Sequence, residues 1–237
     1  MSGIFQFKQF AVDQIGCAMK INTDGVLLGA LTSADQPKTI LDIGTGTGVI
    51  ALMLAQRLTS AQIDAVEIDE AAAITATQNF QNSSFADRLK LYQQDFQTYF
   101  AEHSNEKYDL IVTNPPFYVN SLESPKANKT VAKHTDKAFF EELIRDISKH
   151  LTENGLCWLI LPLPTAELVK KLASDNDLFL HKTISIHSFD HSEPHREILC
   201  LGLNKCEVEN SKLVIYESVG NYSTEYKHLL KPYFIAF

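Results

Sequence analysis

Short apolar runs alternate with amphipathic stretches along most of this chain. Residues 39–43, 63–67, 89–93, 108–112 and 156–161 read as short strands, and 108–112 is the apolar run of a buried parallel one. Between and after them, 48–58, 70–80, 137–150 and 164–174 carry helical spacing. Phe139, Phe140, Leu143, Ile144 and Ile147 share one side of the third. This alternation predicts right-handed crossovers onto a parallel sheet. Residues 178–187 and 197–203 read as two further strands joined by a polar loop. Residues 212–216 read as an added edge strand and 224–230 as a short terminal helix. Near the start, three aromatics at near-strand spacing precede an apolar stretch, 26–31, for which Thr23 or Asp24 is the expected helix cap. Residues 118–135 are rich in Ser, Asn, Lys and Pro without a period and predict a mobile binding loop. The expected organisation is one domain: an extension over 1–35, a core over 36–205 and a second extension over 206–237.

Two strand ends carry the chemistry. The run 108–112 leads to Asn114-Pro115-Pro116-Phe117. Two prolines remove two backbone donors and fix the chain direction, so the strand cannot continue. A rigid corner of this kind presents an amide oxygen and a nearby backbone carbonyl, which together accept both hydrogens of a planar amino group. The Phe117 ring is then placed to stack on the ring bearing that amine. A methyl donor opposite would complete an amine methyltransferase. Read as four residues only, the same segment is equally a proline-stiffened turn.

The first strand ends in Asp42-Ile43-Gly44-Thr45-Gly46-Thr47-Gly48 and opens straight into a helix. Glycine there lets the backbone approach a ligand with no side chain between. The third glycine comes one residue too early for the dinucleotide fingerprint, and the Gly-Lys-Ser/Thr ending of a phosphate loop is absent. Behind it, Glu67 closes the second strand, where an acid can accept ribose hydroxyls. Asp69 is the expected cap of the following helix. Asp95 follows the third strand and is either an acceptor for an adenine amine or a helix cap.

Together these segments resemble the class I, Rossmann-like methyltransferases, in the amino-methylating branch marked by Asn-Pro-Pro-aromatic. The resemblance implies an α/β fold: a mostly parallel, seven-stranded twisted sheet with helices on both faces and a reversed last strand. It also implies S-adenosylmethionine as cofactor, bound by Asp42, Gly44, Gly46, Gly48, Glu67 and Asp95. Asn114, Pro115, Pro116 and Phe117 become the catalytic corner. Phe5-x-Phe7-x-x-Phe10, then Met19 to Ala30, and the tail from Tyr222 to Phe234 are similar to the bacterial tRNA(Val) adenine-N6 methyltransferases. That family modifies the adenosine 3′ of the anticodon, which implies the anticodon stem-loop of tRNA(Val) as partner. Protein glutamine methyltransferases of release factors share the corner but carry a longer helical N-terminal domain. DNA adenine methyltransferases usually add a target-recognition domain. A catalytically silent, cofactor-bound RNA-binding module is the non-enzymatic alternative.

Composition changes this picture little. A net charge of −8 runs against the basic footprint usual for RNA binders. The cations are concentrated, however: Lys126, Lys129, Lys133, His134 and Lys137 follow the Asn-Pro-Pro-Phe corner, and Lys227, His228 and Lys231 lie in the tail. The first set is the candidate phosphate-binding group, with a solvated loop as the plainer reading. Cys17, Cys157, Cys200 and Cys206 form no Cys-x-x-Cys pair, and neither a signal peptide nor a membrane-length apolar run is evident. A cytoplasmic monomer is expected. His187, His191 and His195 stand four apart, but the turn formers among them argue against a helix and against a metal site.

Overall fold

The computed structural model describes residues 3–116 and 129–237, and the side chains of all of these except 129–136. Strands β1 (Ile4–Gln6) and β2 (Ala11–Asp13) form a small hairpin, followed by α1 (Thr23–Leu31). The core then runs β3 (Thr39–Ile43), α2 (Val49–Arg57), β4 (Gln62–Glu67), α3 (Glu70–Gln81), β5 (Leu89–Gln93), α4 (Phe96–Glu102), β6 (Tyr108–Thr113), α5 (Lys129–His150), β7 (Leu151–Leu161) and α6 (Leu163–Asp175). It closes with β8 (Phe179–His187), β9 (Pro194–Gly202), β10 (Glu209–Val214), the hairpin β11 (Tyr216–Ser218) and β12 (Asn221–Tyr222), and α7 (Thr224–Leu230).

The main sheet has the order β10-β8-β9-β7-β6-β3-β4-β5. Among the described strands of this sheet only β9 is reversed, pairing antiparallel with both β7 and β8. This is the expected seven-stranded arrangement with β10 added at the edge, parallel to β8. All the parallel strands therefore end at one rim. The order turns at β3 and β6, which lie side by side. In open α/β sheets ligands bind outside the strand ends at such a switch point.

One apolar cluster, on the α2 side of the sheet, includes Leu27, Ile40, Leu52 and Leu54. The other, on the α5 side, includes Leu41, Phe140, Leu143, Ile144 and Ile147. Both terminal extensions share the first cluster through Phe7, Val12, Tyr226 and Tyr233. They also meet each other: Phe7 bridges Phe234, and the Lys8 amide donates to the Tyr233 carbonyl at 2.8 Å. The spaced aromatics of the N-terminus are thus core residues, with Phe7 stacked on Phe10. Among the described residues no helix is long and apolar enough to cross a membrane.

Four local features differ from the sequence reading. Helix α5 begins at Lys129, so 129–135 are helical rather than part of a loop. No glycine or proline breaks that stretch. Helix α4 was foreshadowed only by the reading of Asp95 as a helix cap; at seven residues it is too short to show a period. The cap of α1 is Asn22, whose side chain accepts from the Gly25 amide, and not Thr23 or Asp24. Strand β7 begins five residues earlier than expected, at Leu151.

One buried amide ties the N-terminal extension to the core. Asn79, on α3, accepts from the Asp13 amide at 2.8 Å and donates to the carbonyls of Asp13 and Thr47, each at 2.9 Å. Thr47 belongs to the glycine loop, so β2 and that loop are fastened through one side chain. Asn79→Ala removes the partner of one buried and two half-buried backbone groups and is expected to destabilise the protein by about 1–3 kcal/mol, read as a lower urea midpoint.

Candidate active site

The glycine loop and the Asn114 corner face one cavity at the rim of the sheet, where β3 and β6 end. Thr113 fastens the two ends, its hydroxyl donating to the Ile43 carbonyl at 2.9 Å. The chain then leaves the sheet at Asn114, which is half-buried, while Pro115 is buried.

The three glycines do different things. Gly44, Gly46 and Gly48 all have left-handed backbones, with φ of 71°, 57° and 82°. A Cβ built on Gly44 or Gly46 would meet nothing within 4 Å, because both face the open cavity. A Cβ on Gly48 would stand 2.5 Å from the Phe80 ring. The first two positions keep a surface clear for a ligand, and the third lets α2 and α3 close.

The acids hold the loop. Glu67 is nearly buried; one oxygen accepts from the Gly46 amide at 2.8 Å and the other from the Asp69 amide at 2.9 Å. Asp69 caps α3 as expected, accepting from the Ala72 amide. Asp42 is fully buried and does not reach the cavity wall. One of its oxygens accepts from the Thr45 hydroxyl at 2.6 Å; the other makes no hydrogen bond. Burial pushes its carboxyl up to about 7, against the Thr45 hydrogen bond that draws it down. Thr45, the residue that donates to Asp42, lines the cavity. Asp95 is the cap of α4: it accepts from the Thr98 amide at 2.6 Å and the Thr98 hydroxyl at 3.0 Å. These bonds hold its carboxyl below the usual range despite some burial. Both of its oxygens are engaged, though each keeps a lone pair.

The far wall comes from the N-terminal extension. Lys20, Ile21, Asn22 and Gly25 line the cavity opposite the glycine loop. A Cβ at Gly25 would stand 3.6 Å from the Asn22 side-chain oxygen and 3.8 Å from the Asn114 nitrogen. Asp24 is held by Arg196 of β9 at 2.8 Å, which anchors this wall to the sheet. The motif 19–30 was legible as a resemblance, but nothing in its spacing placed it against Asn114.

Of the other expected site residues, Phe117 and Lys126 lie outside the described residues. Lys129 and Lys133 lie on α5, and Lys137 is ion-paired with Glu141 at 2.6 Å one turn on. That exposed pair is weak and leaves the lysine available to a stronger anion. The histidines sit on a strand hairpin, not a helix: His187 bonds the Ser192 carbonyl through Nδ1 at 2.6 Å, and His191 stacks on Phe189. Among the described residues no group of His, Cys, Asp or Glu is placed to hold a metal ion. Cys17, Cys157, Cys200 and Cys206 are all free thiols.

A model of the methyltransferase small domain matches residues 20–172. The chain is 48% identical to the tRNA1(Val) (adenine(37)-N6)-methyltransferase of Pedobacter heparinus over 237 residues, the full length of both. It is 43% identical to the protein of the same name from Flavobacterium psychrophilum, over 98% of this chain and 99% of that one. Its fold is similar to the crystal structure of a predicted O-methyltransferase from Agrobacterium tumefaciens, with a TM-score of 0.69 over 89% of this chain and 96% of that one, at 16% identity.

Proposed function

The chain belongs to the tRNA1(Val) (adenine(37)-N6)-methyltransferase family, and we propose that its rim cavity is where cofactor and target adenine meet. The protein methylates the N6 amine of an adenosine in tRNA(Val), with S-adenosylmethionine as donor. The observation that carries the site assignment is that Asn114 and the open faces of Gly44 and Gly46 share one cavity. Those two glycines and the Glu67 and Asp42 scaffold form a cradle that fits a ligand lying against backbone. Bound S-adenosylmethionine supplies an electrophilic methyl carbon on a sulfonium centre. Glu67 keeps lone pairs beyond its two amide bonds, and we assign these to the ribose hydroxyls. Asp42 holds the loop through Thr45, and Asp95, at the end of β5, is the acceptor assigned to the adenine amine of the cofactor.

An adenine amine is a poor nucleophile because its lone pair is delocalised into the ring. The Asn114 side-chain oxygen and the Pro115 carbonyl accept its two hydrogens and favour the positive charge that develops on nitrogen. Such a preorganised acceptor is worth roughly 3–4 kcal/mol at the transition state. No strong base is needed, because the proton leaves after transfer. Phe117 is assigned to stacking on the target base on sequence grounds. The base must leave its own stack, which costs least in a loop, so the anticodon stem-loop is the part of the tRNA that docks. The 237 residues act as one domain and as a monomer in the cytoplasm, where free thiols persist.

The test is methyl transfer to an unmodified tRNA(Val) transcript, with the product located by nuclease digestion and mass spectrometry. Release factor and DNA are assayed in parallel. Methylglutamine in the release factor would keep the chemistry and overturn the substrate. For the lysines, tRNA affinity is expected to fall steeply with salt, and removing two of Lys126, Lys129, Lys133 and Lys137 should shallow the slope by about 2. A slope indifferent to them would return these lysines to solvent.

A further inference from the structure

A row of aromatic rings lies at the same rim as the active site, and nothing in the catalytic cavity uses it. Phe189 follows β8, and Tyr216 begins just beyond β10; both strands are parallel and end where β3 and β6 end. Phe189 stacks on His191 at 5.8 Å and meets Tyr216 at 5.7 Å. Tyr216 stacks on Tyr222 at 5.1 Å, and Tyr222 on Tyr226 at 4.8 Å with planes 12° apart. The row is rigidly held. Ser192 bonds the Phe189 amide and carbonyl, and the Tyr216 amide donates to the Ser188 carbonyl at 2.9 Å.

Phe189, Tyr216, Val219, Gly220 and Tyr222 line a cavity of about 400 Å³, within the size range of small-ligand sites. Val219, at the hairpin tip, is 89% exposed. Gly220 has φ of 81°, and a Cβ there would meet nothing within 4 Å, so the hairpin tip leaves the mouth clear. Lys212 borders the same turn, paired with the exposed Asp190 at 2.9 Å. The row is also coupled to the catalytic wall: β9, which returns from the Phe189 turn, carries the Arg196 that holds Asp24 beside Asn22 and Gly25.

We propose that this aromatic cavity is a second nucleobase site, which stacks an unpaired base of the same tRNA whose target adenine enters at Asn114. The inference rests on the tRNA reading above. Partly exposed aromatic rings beside a cation, at the rim that carries the catalytic cavity, match how unpaired nucleotides are held, by stacking rather than base-edge readout. It also answers the acidic net charge: part of the affinity comes from stacking, which needs no excess of lysine. Asp190 and Glu217, the chain neighbours of Phe189 and Tyr216, are compatible with a base, whose amino groups can donate to carboxylates, and would disfavour a second phosphate.

The test measures binding of a labelled, unmodified tRNA(Val) transcript, with S-adenosylmethionine affinity and thermal melting followed in parallel. Phe189→Ala and Tyr216→Ala should each weaken tRNA binding by roughly 5- to 100-fold and raise KM for tRNA more than they lower kcat, with cofactor affinity unchanged. Phe189→Trp should retain affinity and provide a direct signal. Its indole should be quenched by saturating tRNA, against a background of Trp158, which is 2% exposed. Wild-type affinity in both alanine variants, or an indole that tRNA leaves unchanged, overturns the platform while tRNA methylation by the unaltered enzyme stands. If the unaltered enzyme neither binds nor methylates tRNA, the functional reading fails first and the base site with it. Quenching by a protein fraction but not by RNA would also overturn it.

Discussion

Asn114→Ala is expected to lower turnover on tRNA by about 10²-fold or more while leaving S-adenosylmethionine affinity nearly unchanged. The split follows from where Asn114 stands. It lies on the cavity wall beside Gly25, across from the glycine loop, and its backbone position is set by the prolines and by the Thr113 bond to Ile43. Truncating the side chain therefore removes an acceptor without moving the loop that receives the cofactor. The acceptor matters most as positive charge grows on the amine, so the loss falls on kcat and not on ground-state binding. Asn114→Asp is the informative companion. It keeps an acceptor of the same size but adds a charge in a half-buried place, so it should lose less at high pH than alanine does. Near-normal turnover in Asn114→Ala, measured in single-turnover assays on the tRNA(Val) transcript, would reduce the corner to a turn.

Much of the architecture was legible because buried parallel strands are written as continuous apolar runs. The segments at β3 and β6 could hardly be anything else, and α7 occupies the expected range, 224–230. What was not legible had little periodic signal. Helix α4 has two turns and no flanking glycine. The first two turns of α5 hold Val131 and Ala132 as their only apolar residues, so composition resembled a loop although the backbone is helical. The candidate site was half readable. Gly44, Gly46 and Asn114 were identifiable, because backbone exposure and a proline corner are local properties. The contribution of Lys20 to Gly25 was not, since it depends on Asn79 and the Asp24–Arg196 pair joining segments far apart in the chain. The burial of Asp42 behind Thr45 was not legible either, since it depends on how the loop folds back over the strand end.

Gly46 and Gly48 are expected to fail differently when substituted, and the contrast separates ligand clearance from packing. Gly46→Val should abolish measurable S-adenosylmethionine binding by calorimetry with a comparatively small loss of stability. Its Cβ would meet no protein atom within 4 Å, so the branched side chain projects into the cavity and not into the core. The left-handed φ of 57° adds strain of about 1–2 kcal/mol, and the Gly46 amide bond to Glu67 is at risk as the backbone relaxes. Gly48→Val should instead cost stability first. Its Cβ would lie 2.5 Å from Phe80, a ring that is 3% exposed and wedged between α3 and the first core cluster. Overpacking there costs typically about 1–3 kcal/mol on top of the backbone strain, so the melting temperature should fall by several degrees even without ligand. Gly48→Val with Phe80→Leu should recover part of that loss, because the smaller side chain gives way; no equivalent partner exists among the described residues for Gly46, where the conflict is with the ligand. If Gly46→Val binds the cofactor as the unaltered protein does while remaining folded, the open face of the loop is not the cofactor surface. In that case the cradle must be sought on the Lys20–Gly25 side of the cavity.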